Sequence, residues 1–208
     1  MSVDPRYRVC LVTDRGLARG RSTLDIALAA VAGGATMIQL REKDLATRAF
    51  IEEARTLRER LAPLGVPLVI NDRADVALAV GADGLHVGQD DMPYAMARAL
   101  LPGKIIGLSI TALDQLDAAD ARAADYLGVG PIFAQATKAD AAPPLGLEGL
   151  RAARRLTERP LMAIGGVTAA NAAALRAAGA DGVAIVSAIV AADDPQAATQ
   201  EIAAAFGV

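Results

Sequence analysis

The chain has 208 residues, is 53% hydrophobic but only 3% aromatic, and carries a formal net charge of −3. A single Cys excludes an internal disulfide and a cysteine metal cluster. The charge balance gives no basic footprint for nucleic acid, and no apolar run approaches the ~20 residues that span a bilayer. The opening MSVDPRYR sets an acidic residue and a Pro before any apolar stretch, unlike a signal peptide. These features lead to the expectation of a cytoplasmic protein with neither a nucleic-acid nor a membrane partner.

Eight short aliphatic runs follow one another, and each ends in polar or glycine residues. Strands are expected near 8–13, 36–41, 67–71, 84–87, 105–109, 125–130, 161–164 and 182–186. The first runs into Asp14 and Arg15, the second into Arg41, Glu42 and Lys43, the third into Asn71 and Asp72. The fourth leads to Gln89, Asp90 and Asp91, the fifth to Ser109, and the sixth to PIFAQATK with Thr137 and Lys138. The seventh ends in Gly165 and Gly166, the eighth in Ser187. Ala-rich stretches between them predict helices near 22–32, 47–61, 74–80, 93–100, 112–122, 147–157, 169–178 and 195–206. In the second of these, Phe50, Ile51, Ala54, Leu57 and Leu61 recur at helical spacing as a core-facing stripe. Strand, polar tip and helix repeated eight times reads as a single (β/α)₈ TIM barrel over residues 1–208. The length is short for that fold, which typically takes about 250 residues, and leaves little room for a second domain.

A weak internal repeat supports the unit structure. VGADGLHV at 80–87 matches AGADGVAI at 178–185, and AGGATMIQ at 32–39 is a looser copy. In each, Gly ends a helix where a left-handed residue costs little, and a short turn opens the next strand. The longest expected loop, 134–146, is polar at its centre, holds two prolines and is read as a mobile lid.

In such a barrel the strand tips converge on one face. Glycines 165 and 166 after strand seven, with Val186 and Ser187 after strand eight, suit a phosphate held by backbone N–H groups and a helix N-terminus. The plainer alternative is a tight turn with Ser187 capping a helix. Asp72, Asp90 and Asp91 stand on neighbouring strand tips without soft ligands, which suits Mg²⁺. Asp91 before Met92-Pro93 equally fits a helix cap. Arg41 and Lys43 start on the same side of the chain, and with Lys138 they suit a diphosphate. Taken alone, they also fit surface ion pairs with Glu42 or Asp44. The only histidine, His86, sits inside a strand between Leu85 and Val87, as a packed, hydrogen-bonded residue rather than a base. Cys10 is expected to be a buried small hydrophobe. No nucleophile-and-base pair is visible, so the chemistry would rest on metal, cations and positioning.

Nine motifs in order resemble the thiamine phosphate synthase family: LVTDR (11–15), QLREK (39–43), INDR (70–73), ADGLHVGQDD (82–91), GLS (107–109), GVGPIF (128–133), TKAD (137–140), AIGGV (163–167) and GADGVAIVSAI (179–189). The resemblance implies condensation of a hydroxymethylpyrimidine diphosphate with a thiazole phosphate, releasing pyrophosphate through a dissociative, Mg²⁺-assisted route. It implies that Gln39, Arg41, Lys43, Asn71 and Lys138 hold the pyrimidine diphosphate and that Asp72 and Asp91 bind Mg²⁺. Ser109 would contact the pyrimidine or its leaving group. Thr137, Gly166, Val186 and Ser187 would hold the thiazole phosphate. Arg41, Lys43, Lys138 and Ser109 are thus the candidate catalytic groups. Two positions depart from the family pattern. Gln135 replaces a Thr as a phosphate donor of different reach, and Thr111 stands where many members have His. A related thiazole tautomerase tends to carry His at the position of Pro131, and a non-catalytic phosphate-binding barrel would have no reason to keep the cations and carboxylates together. The partners implied are two small-molecule substrates; a homo-oligomer is compatible with the sequence, which does not fix the oligomeric state.

Overall fold

A computed structural model describes residues 4–134 and 143–208. Eight parallel strands close into a barrel in sequence order, and β1 pairs with both β2 and β8. They are β1 Val9–Val12, β2 Met37–Leu40, β3 Leu68–Asn71, β4 Gly84–Val87, β5 Ile105–Ile110, β6 Tyr126–Val129, β7 Leu161–Ile164 and β8 Gly182–Ile185. The helices are α1 Thr23–Ala32, α2 Thr47–Leu61, α3 Ala74–Val80, α4 Tyr94–Leu100, α5 Ala119–Ala123, α6 Gly146–Leu156, α7 Ala169–Ala177, the single turn α8 Ser187–Val190, and α9 Pro195–Phe206.

The alternation of a strand places successive side chains on opposite faces, and here that separates two cores. Outward-facing Leu11, Ile38, Leu40, Ile70, Leu85 and Leu127 pack under the helices. Each such side chain contributes about 1.5–3 kcal/mol on full burial. Inward-facing Cys10, Met37, Val69, Ile105, Tyr126 and Met162 fill the barrel. Helix α2 covers the outer core with Phe50, Ala54, Leu57 and Leu61, the expected stripe, and Ile51 packs at its margin.

The helix expected at 112–122 is instead a 3₁₀ turn, Leu113–Asp117, followed by the short α5. Ala118 between them is extended at φ −68°, ψ 148°. The Gln115 side chain accepts from the backbone N–H groups of Thr111 and Ala112, closing a local turn that competes with a continuous helix. Helix α8 has only four residues, too few to show a periodicity in sequence.

The internal repeat has a structural counterpart at the N-terminal end of the barrel. Asp83, Asp125 and Asp181 each enter an even-numbered strand, and each carboxylate accepts an N–H at the start of the strand before it, from Leu68 (3.0 Å), Ile106 (2.7 Å) and Leu161 (2.8 Å). Thr36 does the same with its hydroxyl for Val9, at 2.9 Å. An edge N–H that the ladder leaves open is thereby satisfied at four symmetric places. The repeat glycines Gly34, Gly81 and Gly179 lie at φ +104°, +63° and +102°, as the helix-ending role requires. No helix among the described residues is long and apolar enough to cross a membrane.

Candidate active site

At the C-terminal ends of the strands the barrel opens into a cavity of about 250 Å³. Of the thirteen residues that the family resemblance singles out, the ten within the described chain all line it. Gln39, Arg41 and Lys43 come from β2 and its tip. Asn71 and Asp72 come from β3, Asp91 from the loop after β4, and Ser109 from β5. Gly166, Val186 and Ser187 come from the ends of β7 and β8. Gln135, Thr137, Lys138 and the core of the 134–146 loop, with the lid reading made of it, lie outside the described residues. Asp90 is exposed and does not line the cavity.

One side of the cavity concentrates charge. Asp72 has a left-handed backbone at φ +62°, unusual for a residue with a Cβ. Its N–H donates to the His86 carbonyl at 2.8 Å, which fixes the turn. The carboxylate then meets Lys43 Nζ at 2.5 Å and stands beside Asp91. Burial pushes the Asp72 carboxyl above the usual carboxylate range; the Lys43 ammonium opposes the rise, and the neighbouring Asp91 adds to it. Asp91 does not cap a helix. Pro93 occupies that position at α4 without a side-chain bond, and the Asp91 carboxylate instead accepts from Gly88 N at 2.8 Å. Arg41 pairs with Asp14 at 3.3 Å rather than with Glu42 or Asp44. Glu42 turns away to Arg15, at 3.1 Å.

Among the described residues no three His, Cys, Asp or Glu side chains are gathered to hold a metal. Two adjacent carboxylates are nonetheless suited to Mg²⁺, which keeps several waters and shares its shell with substrate phosphates.

The opposite side is built from backbone. Gly165 and Gly166 sit at φ +94° and +69°. A Cβ on the first would fall 2.6 Å from Pro131 Cβ, and one on the second 2.7 Å from Phe133 Cβ, so both the turn and its packing demand glycine. Ser187 is the first residue of α8; the capping position belongs to Val186, with no side-chain bond. Its hydroxyl therefore has no capping duty.

Between the two sides a polar chain crosses the floor. His86 Nδ1 lies 2.8 Å from the Tyr126 hydroxyl, and His86 Nε2 lies 2.8 Å from Ser109 Oγ. Burial lowers the His86 pKa to about 4, against a small opposing pull from Asp91. Burial likewise pushes the Tyr126 hydroxyl well above the usual tyrosine range. The packed, hydrogen-bonded His86 expected from sequence is thus correct. Its bond to Ser109 was not foreseen from the sequence. Asp14, Thr111 and Tyr126 also line the cavity and were given no role from sequence. Polarity at a strand tip flagged Asp14, but Tyr126 opens a strand and reads as core.

The fold and this cavity define a class: TIM-barrel proteins that take anionic small molecules at the C-terminal ends of their strands. Residues 9–189 match the family described as thiamine monophosphate synthase. The chain is 55% identical over 202 residues to the thiamine-phosphate synthase of Chloroflexus aurantiacus, covering 97% of this chain and 94% of that one. It is 55% identical over 189 residues to that of Albidiferax ferrireducens, covering 90% and 86%. The solved thiamine phosphate pyrophosphorylase of Pyrococcus furiosus superposes with a TM-score of 0.89 at 37% identity, covering 97% and 96%. The chain belongs to the thiamine monophosphate synthase family.

Proposed function

We propose that this chain joins hydroxymethylpyrimidine diphosphate to thiazole phosphate, giving thiamine phosphate and pyrophosphate. The observation that carries this reading is the pairing of one charged wall with one glycine wall in a single cavity. Such an arrangement suits a diphosphate on one side and a monophosphate on the other.

In this reading Arg41, Lys43, Gln39 and Asn71 hold the pyrimidine diphosphate, and Asp72 and Asp91 would hold Mg²⁺. The metal when bound supplies charge neutralisation to the leaving diphosphate. Lys138, assigned by its place in the family motif, adds to that neutralisation. The methylene C–O bond breaks with its electron pair passing to pyrophosphate, and the thiazole nitrogen lone pair forms the new C–N bond. No proton moves in this exchange, so it needs no general base. Arg41 is steadied by Asp14 and presents a planar donor fork to phosphate oxygens. Thr137, Gln135, Gly166, Val186 and Ser187 hold the thiazole phosphate, which keeps its nitrogen close to the cation as it forms.

Mixing the two substrates with and without Mg²⁺ and assaying thiamine phosphate tests the reading. Product should form only with both substrates and the metal. Rearrangement of the thiazole phosphate alone, with no condensation, would point to the tautomerase instead.

A further inference from the structure

Three polar side chains meet across the barrel floor. The Tyr126 hydroxyl bonds to His86 Nδ1, and His86 Nε2 to Ser109 Oγ. Ser109 is the most open member of this chain in the cavity wall, since Tyr126 is fully buried and His86 is 8% exposed. Space for the chain is reserved by glycine. A Cβ at Gly107 would lie 2.2 Å from Tyr126 Cζ and 2.5 Å from His86 Nδ1, and one at Gly128 would lie 3.0 Å from His86 Cε1. The imidazole is therefore boxed between two strands, with the Tyr126 ring centroid 5.4 Å away.

A neutral imidazole carries one N–H, so the Tyr126 bond decides which nitrogen holds it. The buried phenol keeps its proton. Among the described residues the Tyr126 hydroxyl has no other hydrogen-bond partner, so the phenol proton goes to Nδ1. Nε2 then bears the ring proton and donates it to Ser109 Oγ. The serine oxygen is occupied as an acceptor, and its own proton is free to turn into the cavity.

We propose that Tyr126 and His86 are positioning residues that fix Ser109 as a hydrogen-bond donor to the substrate, toward a pyrimidine ring nitrogen or an oxygen of the departing diphosphate. The substrate side rests on the function proposed above; the direction of the proton chain does not. A donor fixed in advance costs no reorganisation when negative charge develops on the leaving group. The reversed chain would make Ser109 an acceptor, of no use to an anion.

Because His86 is the only histidine in the chain, ring ¹⁵N spectra of tag-free protein report it without assignment. The expected result, in the absence of substrate, is a bare Nδ1 and a protonated Nε2. The opposite tautomer, or an exchanging mixture, would overturn the proposal. Tyr126→Phe should release the mixture and lower the single-turnover rate about ten-fold, as loss of one hydrogen bond does, with little change in KM. Ser109→Ala should do the same, and the double variant should lose no more than either single one. Additive losses, in which Tyr126→Phe still slows a chain already lacking the serine hydroxyl, would assign Tyr126 a merely structural role. If Tyr126→Phe does not fold, the spectrum of the unaltered protein still decides the direction.

Discussion

Lys43 Nζ lies 2.5 Å from the Asp72 carboxylate, and that same carboxylate stands beside Asp91. A lysine side chain thus balances two acids that face each other across neighbouring strand tips. The ammonium steadies the Asp72 carboxylate in the free protein.

Asp72→Ala or Asp91→Ala should cut Mg²⁺-dependent turnover by about 100-fold or more, since charge neutralisation by a metal contributes several kcal/mol. Circular dichroism should show an intact barrel in both. Turnover close to that of the parent protein at low Mg²⁺ in either variant would remove the metal role.

Ser187→Ala should act on one substrate only. Its hydroxyl lies at the glycine wall and has no capping bond to lose. The KM for thiazole phosphate is expected to rise about ten-fold, with kcat and the KM for the pyrimidine substrate little changed. An equal fall in kcat would place Ser187 in the chemical step.

Asp125→Ala should separate stability from activity. Its carboxylate holds Ile106 N at 2.7 Å and Arg98 Nη2 at 2.5 Å at the end of the barrel remote from the cavity. Leaving the N–H unpaired costs about 2 kcal/mol, or a melting-point drop of about 4–8 °C for a chain of this size. Activity per folded molecule at 25 °C should stay within about two-fold, because that face of the barrel serves stability.

His86 makes stability depend on pH. Its folded pKa of about 4 lies below the ordinary imidazole value, so between the two the unfolded chain binds more protons. Stability therefore rises with pH through this window and falls on acidification from about pH 6.5 towards 4. From pH 7 to pH 5 the parent protein should lose about 2 kcal/mol more than His86→Gln, measured by urea unfolding. Parallel losses in the two would show that His86 does not titrate as its burial requires.

Cys10 should report unfolding. It is fully buried, and its thiol is pushed up to about 12 by that burial. Reaction with a thiol reagent at neutral pH should be far slower than that of a free thiol and should accelerate in denaturant in step with loss of helix. Labelling of the native protein at the rate of a small thiol would mean that the barrel interior opens locally.

The eight units, the placing of Arg41 and Lys43 on one side of β2, and the inward face of His86 were legible in the sequence, because periodicity and alternation are local properties of the chain. So were the ten cavity residues at strand tips, because parallel strands must all end on one face. The sequence did not say what these residues touch. Asp91 reads equally as a cap or a ligand until α4 is seen to start at Tyr94, leaving its carboxylate beside Asp72. Arg41 has acids nearer in sequence than Asp14, yet the turn after β1 brings Asp14 to it. Tyr126, His86 and Ser109 lie on β6, β4 and β5, and their bonds exist only because the register sets His86 opposite Gly107, and Gly107 opposite Tyr126. A one-residue slip would turn each side chain to the other face. Pairing between strands is set by closure of the whole barrel, so the identity of each residue came from the sequence and its partner from the tertiary structure.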